Sequence, residues 1–171
     1  IFDTLPKGFS KFISVGRLDF ASEGLLLLTD APAIAEALMR SDIERMYYLK
    51  VKGEVADDVI TAMREGFFAQ DATKGAHEKT QIKSMEFKPF LAYSVLGSSG
   101  GYTKLKVIIN EGQNRELRRF FGCFDLEVME LKRVSFGRVD LGMLKPGKWR
   151  YLTSSEYDDL RDFLKQNGVR Y

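Results

Sequence analysis

An α+β fold, with one mixed, mainly antiparallel sheet and flanking helices, is what the sequence predicts, and three observations carry that prediction. Apolar and polar residues alternate over "MYYLKVKG" (46–53), the period of a half-buried strand. Apolar residues return at helical spacing over "EVADDVITAMREG" (54–66), which ends on Gly66. The glycine-rich "GSSGG" (97–101) separates two strand-like runs, as a hairpin connection does, and hairpins make antiparallel neighbours. Mixed strands and helices without an internal repeat complete the α+β assignment.

The elements follow in order. Leu25–Thr29 reads as a short buried strand. Asp30 is placed to cap the next helix, with Pro32 in its first turn, where a missing N–H is tolerated. That helix, "PAIAEALMR", has Ile34 and Leu38 on one face. In the strand that follows, Tyr47, Leu49 and Val51 point one way, and Tyr48, Lys50 and Lys52 the other. Residues 69–79 are polar and irregular, a loop. Strands are expected over 81–96, 102–109 and 126–136, and helices over 114–124, capped by Asn114, and over 155–166. "NEGQ" and "LKPGKW" are turns.

The 171 residues form one or at most two domains and are enough to bury a core. No apolar run approaches the roughly 20 residues of a membrane span, and no basic-then-apolar secretory leader is visible. Cys123 is the one cysteine, so no intrachain disulfide can form; it reads as a small buried hydrophobe in an apolar helical run. His77 is the one histidine and has no Cys or His companion at ligand spacing, which argues against zinc. The cytosol is the expected compartment and a monomer the default state. The chain opens on Ile1 rather than Met, and an N-terminal portion is expected to precede it. Net charge is only +2, but residues 101–150 hold 11 Lys/Arg against 6 Asp/Glu. Basic charge gathered in one segment fits a polyanionic partner.

Three stretches carry chemistry. On the helical wheel of "NRELRRFFGCF", Leu117, Phe120, Phe121 and Phe124 share one face. Arg115 and Arg119 lie opposite, with Arg118 on the flank. A solvated basic face would give the same pattern. The adjacent glycine turn and the basic segment favour guanidiniums that grip phosphates or carboxylates. In "VGRLDFASEGLLLLTD" (15–30), Asp19 stands at the edge of a leucine-rich core. Ser22 or Glu23 can supply the turn chemistry, so Asp19 needs a partner or a purpose. An arginine would hold it ionised, as a nucleophile requires, and Arg17 and Arg118 are the candidates. Tyr47, on the inward face of its strand, is either core packing or a platform for a nucleobase.

Together "GRLDFASEGLLLLTD", "RMYYLKVKGEV", "NEGQNRELRRFF" and "LKRVSFG" resemble the RsuA/RluB-type pseudouridine synthases of bacterial ribosomal RNA, from about Leu5 to Thr153. The resemblance implies that residues 1–171 are a catalytic domain with the pseudouridine synthase fold. It implies an isomerase that cuts the uracil from C1′, turns it and rejoins it through C5, with no cofactor and no metal. Asp19 falls on the family's essential aspartate, Tyr47 on its active-site tyrosine with Arg45 as the basic residue before it, and Arg118 on the arginine that pairs with the aspartate. Tyr48 is the runner-up to Tyr47. Leu131 falls on an apolar position near the base, and Arg17 is further support for the site. Arg115, Arg119, Lys132, Arg133 and Arg45 would bind ribosomal RNA. "VKGEVADD" and "LKRVSFG" lean towards members acting on large-subunit (23S) rather than 16S RNA. The family usually carries an S4-type RNA-binding domain and then a strand with a Lys-Pro dipeptide, and neither is found in this sequence. "LLLLTDAP" replaces the commoner "LLLLTNDG", a change at the helix cap.

A uridine inside a helix hides its glycosidic bond, so such an enzyme must extrude it, at a cost of a few kcal/mol. Whether the carboxylate attacks sugar or base, or removes a sugar proton, the sequence leaves open. One rival reading is a non-catalytic RNA-binding module for ribosome assembly, which needs the basic helix but has no use for Asp19. Another is an aspartate-nucleophile phosphotransferase; it would want a second acid two positions on, where Ala21 stands.

Overall fold

The computed structural model describes residues 2–113 and 115–170. Two 3-10 turns, Phe2–Thr4 and Lys7–Phe9, lead into β1 (Ile13–Ser14), β2 (Glu23–Gly24), β3 (Leu28–Thr29) and α1 (Pro32–Met39). Next come β4 (Arg45–Lys52), α2 (Asp57–Glu65), β5 (Phe67–Ala69), β6 (Met85–Phe87), β7 (Ala92–Ser99) and β8 (Tyr102–Ile109). The chain closes with α3 (Glu116–Gly122), β9 (Glu127–Phe136), β10 (Val139–Asp140) and α4 (Ser154–Gln166).

The central sheet has six strands, in the order β10-β9-β4-β8-β7, with β2 also on β9. Every pairing is antiparallel except β2 with β9, which makes the sheet mixed. The alternating "RMYYLKVK" run is its central strand, hydrogen-bonded on both sides along its full length. β7 and β8 are joined at Gly100 and Gly101, with φ of +61° and +79°. Two consecutive positive φ values turn a two-residue hairpin with the right-handed twist of the strands, and glycine tolerates both.

Leu49, Val51, Leu105, Val107 and Val128 cover one face of this sheet, under Val59 and Met63 of α2 and Leu117, Phe120 and Phe121 of α3. Phe120 sits among the rings of Phe67, Phe87, Phe90 and Phe124. A second, smaller core joins Val15, Leu25 and Leu27 to Ala35 and Leu38 of α1, to Phe136 and Val139, and to Leu164 of α4. α4 begins with a reciprocal capping box. The Thr153 hydroxyl accepts from the Glu156 N–H, and the Glu156 carboxylate accepts from the Thr153 N–H. Glu156 also receives both Arg150 guanidinium nitrogens at 2.7 Å, which holds its carboxyl at about 2, well below the usual range.

Several local expectations are corrected. The leucines of 25–28 are not one strand: the chain leaves β9 after Gly24 and reaches β1 only at Leu28. Leu25 and Leu27 both turn into the second core during the crossing. Asp30 does not cap α1. The helix starts one residue later than expected, so the N-cap residue is Ala31, which has no side-chain acceptor; its own N–H donates to the Thr29 hydroxyl. Residues 81–96 break into β6 and β7 around Pro89, which has no N–H for a ladder. Phe67–Ala69 is a strand ahead of the irregular 70–84 segment. Asn114, expected to cap α3, lies outside the described residues, and α3 itself begins at Glu116. Cys123 is half-buried. Among the described residues no helix is long and apolar enough to cross a membrane.

Candidate active site

Strand register builds the floor of the site. Tyr47 lies opposite Val107 on β8 and Arg133 on β9, and its neighbour Leu49 lies opposite Leu131. Tyr47, Leu131 and Arg133 therefore share the core face of adjacent strands. At this end of the sheet the floor stays open, walled by the loop of residues 14–23, by Gly112 and Gln113, and by the start of α3. The result is a cleft of about 650 Å³, lined by Asp19, Arg17, Tyr47, Leu131, Arg133, Arg45 and Arg115 together with Ile109, Gln113, Glu116 and Leu117. That volume is in the range of small-molecule sites. Tyr48 is on the opposite face of the sheet and exposed.

Asp19 hangs from a fixed turn. The Ser22 N–H donates to the Asp19 carbonyl at 2.9 Å, and Ala21 adopts φ +64°. The Asp19 side chain keeps 23% of its surface exposed, and Arg17 Nε lies 4.0 Å from its Oδ1. The expected pairing of Asp19 with Arg118 is corrected: among the described residues its ion-pair partner is Arg17. Arg118 is buried and donates to the carbonyls of Val128 (2.9 Å) and Ala21 (2.8 Å) and to the Ser22 hydroxyl (3.0 Å). It thus clamps the backbone immediately after Asp19, and its Nε remains buried without a hydrogen-bond partner. Burial lowers the Arg118 pKa and neighbouring Arg115 lowers it further, while the charge of Asp19 opposes both. The carboxylate and the guanidinium attract one another across the turn without touching.

The basic residues expected to face RNA divide into three groups. Arg119 is fully buried: Nε donates to the Ala72 carbonyl at 2.7 Å, and Nη2 to the Ile82 carbonyl. The helical wheel put it in solvent, but the 70–84 segment wraps that side of α3. Arg45 is also buried. Its guanidinium donates to Ser41 (3.2 Å), Ile43 (3.1 Å) and Asn110 (3.0 Å) carbonyls, and lies over the Phe136 ring. It thereby satisfies backbone acceptors just past α1, as helix ends require. Neither guanidinium is free for phosphate. Arg115, in a left-handed conformation (φ +50°) and held by the Gly75 carbonyl at 2.7 Å, and Arg133, held by the Leu25 carbonyl at 2.8 Å, stay on the cleft wall. Lys132 falls on the other face of β9, opposite Tyr48.

Glu116 is a cleft residue that the sequence reading missed. It is buried, and its carboxylate accepts the Gln113 N–H at 3.1 Å. The available signal was a glutamate three residues past a turn, the position from which a carboxylate reaches back over a helix start. Burial, reinforced by nearby Glu111 and opposed by Gln113, Arg45 and Lys88, pushes its carboxyl up to about 7 from 4.5. The folded chain therefore holds a proton there between about pH 4.5 and 7 that the unfolded chain has lost, so this group's contribution to stability falls as pH rises through that window. Glu116→Gln is expected to gain stability relative to the parent across the same window, by up to about 3 kcal/mol at pH 8. Denaturant unfolding of both proteins at pH 5 to 8 measures it.

A crystal structure of a pseudouridylate synthase superposes on this fold with a TM-score of 0.75 and 26% identity, covering 93% of this chain and 64% of that one. The chain belongs to the RNA pseudouridylate synthase family, whose model matches residues 4–122. It is 51% identical over 164 residues to an uncharacterized RNA pseudouridine synthase of Helicobacter pylori (strain 26695), covering 96% of this chain and 63% of the relative. It is 36% identical over 159 residues to the ribosomal large subunit pseudouridine synthase B of Buchnera aphidicola, covering 90% and 57%. To the protein of that name in Vibrio vulnificus it is 34% identical over 169 residues, covering 96% and 48%. The chain thus spans about half to three-fifths of the length of these relatives.

Proposed function

We propose that this chain is the catalytic domain of an RNA pseudouridine synthase that isomerises a specific uridine of ribosomal RNA, in the large subunit, with Asp19 as the catalytic residue. The observation that carries the reading is the single cleft in which Asp19 meets Tyr47 and Leu131. Family membership and the names of the Buchnera and Vibrio relatives support RNA as the substrate class and the large subunit as its source. Those ribosomal names also support a cytoplasmic location. In this reading the target base is extruded from its helix and enters between the Tyr47 ring and Leu131, with Asp19 beside the sugar. Arg115 and Arg17 line the approach and hold the backbone phosphates, while Arg133, buried and held by the Leu25 carbonyl, fixes the cleft wall. Arg118 acts as a positioning residue that fixes the turn carrying Asp19.

The burial of Arg119 and Arg45 removes two of the charges on which a purely RNA-binding module would rely. The test is direct. The full-length protein that contains this domain is incubated with unmodified large- and small-subunit ribosomal RNA, and pseudouridines are mapped. A single new pseudouridine in the large-subunit RNA is expected. RNA binding with no modification of either RNA would replace the proposal with the assembly-module reading.

A further inference from the structure

Phe20 follows Asp19 directly and is 94% exposed. Among the described residues its ring makes no aromatic or cation–π contact. An isolated exposed apolar side chain is by itself ordinary on a protein surface. This one is not on a flexible surface. The Asp19 carbonyl on one side accepts from Ser22, and the Ala21 carbonyl on the other accepts from Arg118. Just beyond, Glu23 and Gly24 are paired to β9. Ala21 is held at φ +64°, a conformation unfavourable for a residue with a Cβ. A buried guanidinium and a strained backbone hold the turn that keeps a bare phenyl ring in water, one residue from the cleft-lining Asp19.

We propose that Phe20 is a stacking residue for RNA, receiving the nucleobase that flanks the uridine delivered to the cleft. This rests on the proposed function. The chemistry of the surroundings chooses the occupant. Arg17, 74% exposed, and Arg115 stand beside the cleft and favour an anion, whereas a lone ring offers too little apolar area for a protein partner. Aromatic faces set along a basic groove are how single-stranded nucleic acid is held, because every base has a π-face. Extruding a base leaves its neighbour unstacked on one side. A ring fixed one residue from the catalytic carboxylate can restore that stack while the uridine is held in the cleft.

The test uses the full-length protein with Phe20→Trp, Phe20→Tyr, Phe20→Leu and Phe20→Ala. Unmodified ribosomal RNA is expected to quench the Phe20→Trp emission roughly twofold beyond any change in the unsubstituted protein, and heparin, a polyanion without bases, is expected not to. Equal quenching by heparin, or none by RNA, overturns the proposal. So does a blue-shifted emission before RNA is added, which would mean that the protein itself covers the ring. On the mapped uridine, Phe20→Leu and Phe20→Ala are expected to lower kcat/KM about tenfold with unchanged thermal stability, while Phe20→Tyr stays within about threefold of the parent. A Phe20→Leu protein as active as the parent overturns it too. If the parent modifies no RNA, the proposed function fails, and the quenching still decides whether Phe20 stacks on bases.

Discussion

Asp19→Asn is expected to remove pseudouridine formation, by about 10³-fold or more in kcat, while leaving the fold intact. The two halves of that expectation have separate physical grounds. Asparagine has nearly the shape of aspartate, and the turn is held by the backbone carbonyl of residue 19, which the substitution retains. Among the described residues the one ion pair lost, with Arg17 at 4.0 Å, joins a largely exposed guanidinium to a partly exposed carboxylate. Such pairs contribute about 0–1 kcal/mol. What does change is the negative charge in the cleft. Every route left open for the reaction, attack on sugar, attack on base or removal of a sugar proton, needs an ionised carboxylate, and an amide supplies none of them. Mapped pseudouridine yield and a thermal melt on the same preparation check both halves. Equal yields from parent and variant would sink the catalytic assignment. A variant that loses its melt would mean that Asp19 is structural.

The parts of the fold that were legible are those where one face meets core and the other meets water. The β4 run alternates because it is central in the sheet, with Leu49 and Val51 under α2 and α3 and Lys50 and Lys52 outside. The same logic put Tyr47 rather than Tyr48 on the cleft side. It failed wherever a segment is covered twice. α3 reads as a two-faced helix, yet every residue from Glu116 to Gly122 is buried, because the polar 70–84 segment lies over its outer side. The close approach is visible in the glycines. A Cβ on Gly75 would come 2.3 Å from the Arg118 carbonyl oxygen, and one on Gly122 2.5 Å from that of Lys74. A helical wheel cannot foresee a polar strap, so it sent Arg119 to solvent. The leucine run failed for a related reason. Four apolar residues look like one buried strand, but Leu25 and Leu27 enter the second core while the chain crosses from β9 to β1.

Arg118 shows how much of the site the family pattern could reach. The resemblance located the right side chain near Asp19 and assigned it an ion pair. The structure keeps the proximity and changes the contact, since the guanidinium holds the Ala21 carbonyl and the Ser22 hydroxyl instead. No spacing in the sequence separates holding a carboxylate from holding the turn that carries it. Only the position of Val128, whose carbonyl fixes the other side of the guanidinium, decides between them.

Gly24→Ala is expected to be the most destabilising small substitution in the site, costing about 3 kcal/mol or more and lowering the melting temperature by about 10 °C. Gly24 has φ +116° and pairs with Arg133 in the one parallel ladder of the sheet. A Cβ there would lie 2.1 Å from the Arg133 carbonyl oxygen and 2.7 Å from its nitrogen. Both are backbone atoms of β9, which β4 holds along its other side, and cannot rotate away. The chain must instead separate from β9, losing the Leu25 N–H bond to the Arg133 carbonyl (2.8 Å) and the Arg133 side-chain bond to the Leu25 carbonyl (2.8 Å). Those bonds also anchor the loop that presents Asp19, so activity should fall further than the loss of folded protein explains. Gly147→Ala separates the two contributions. Its φ of +74° carries backbone strain, but nothing lies within 4 Å of its Cβ, so about 1 kcal/mol and unchanged activity are expected. If the two variants melt together, positive φ alone accounts for Gly24, and the loop does not depend on its contact with β9.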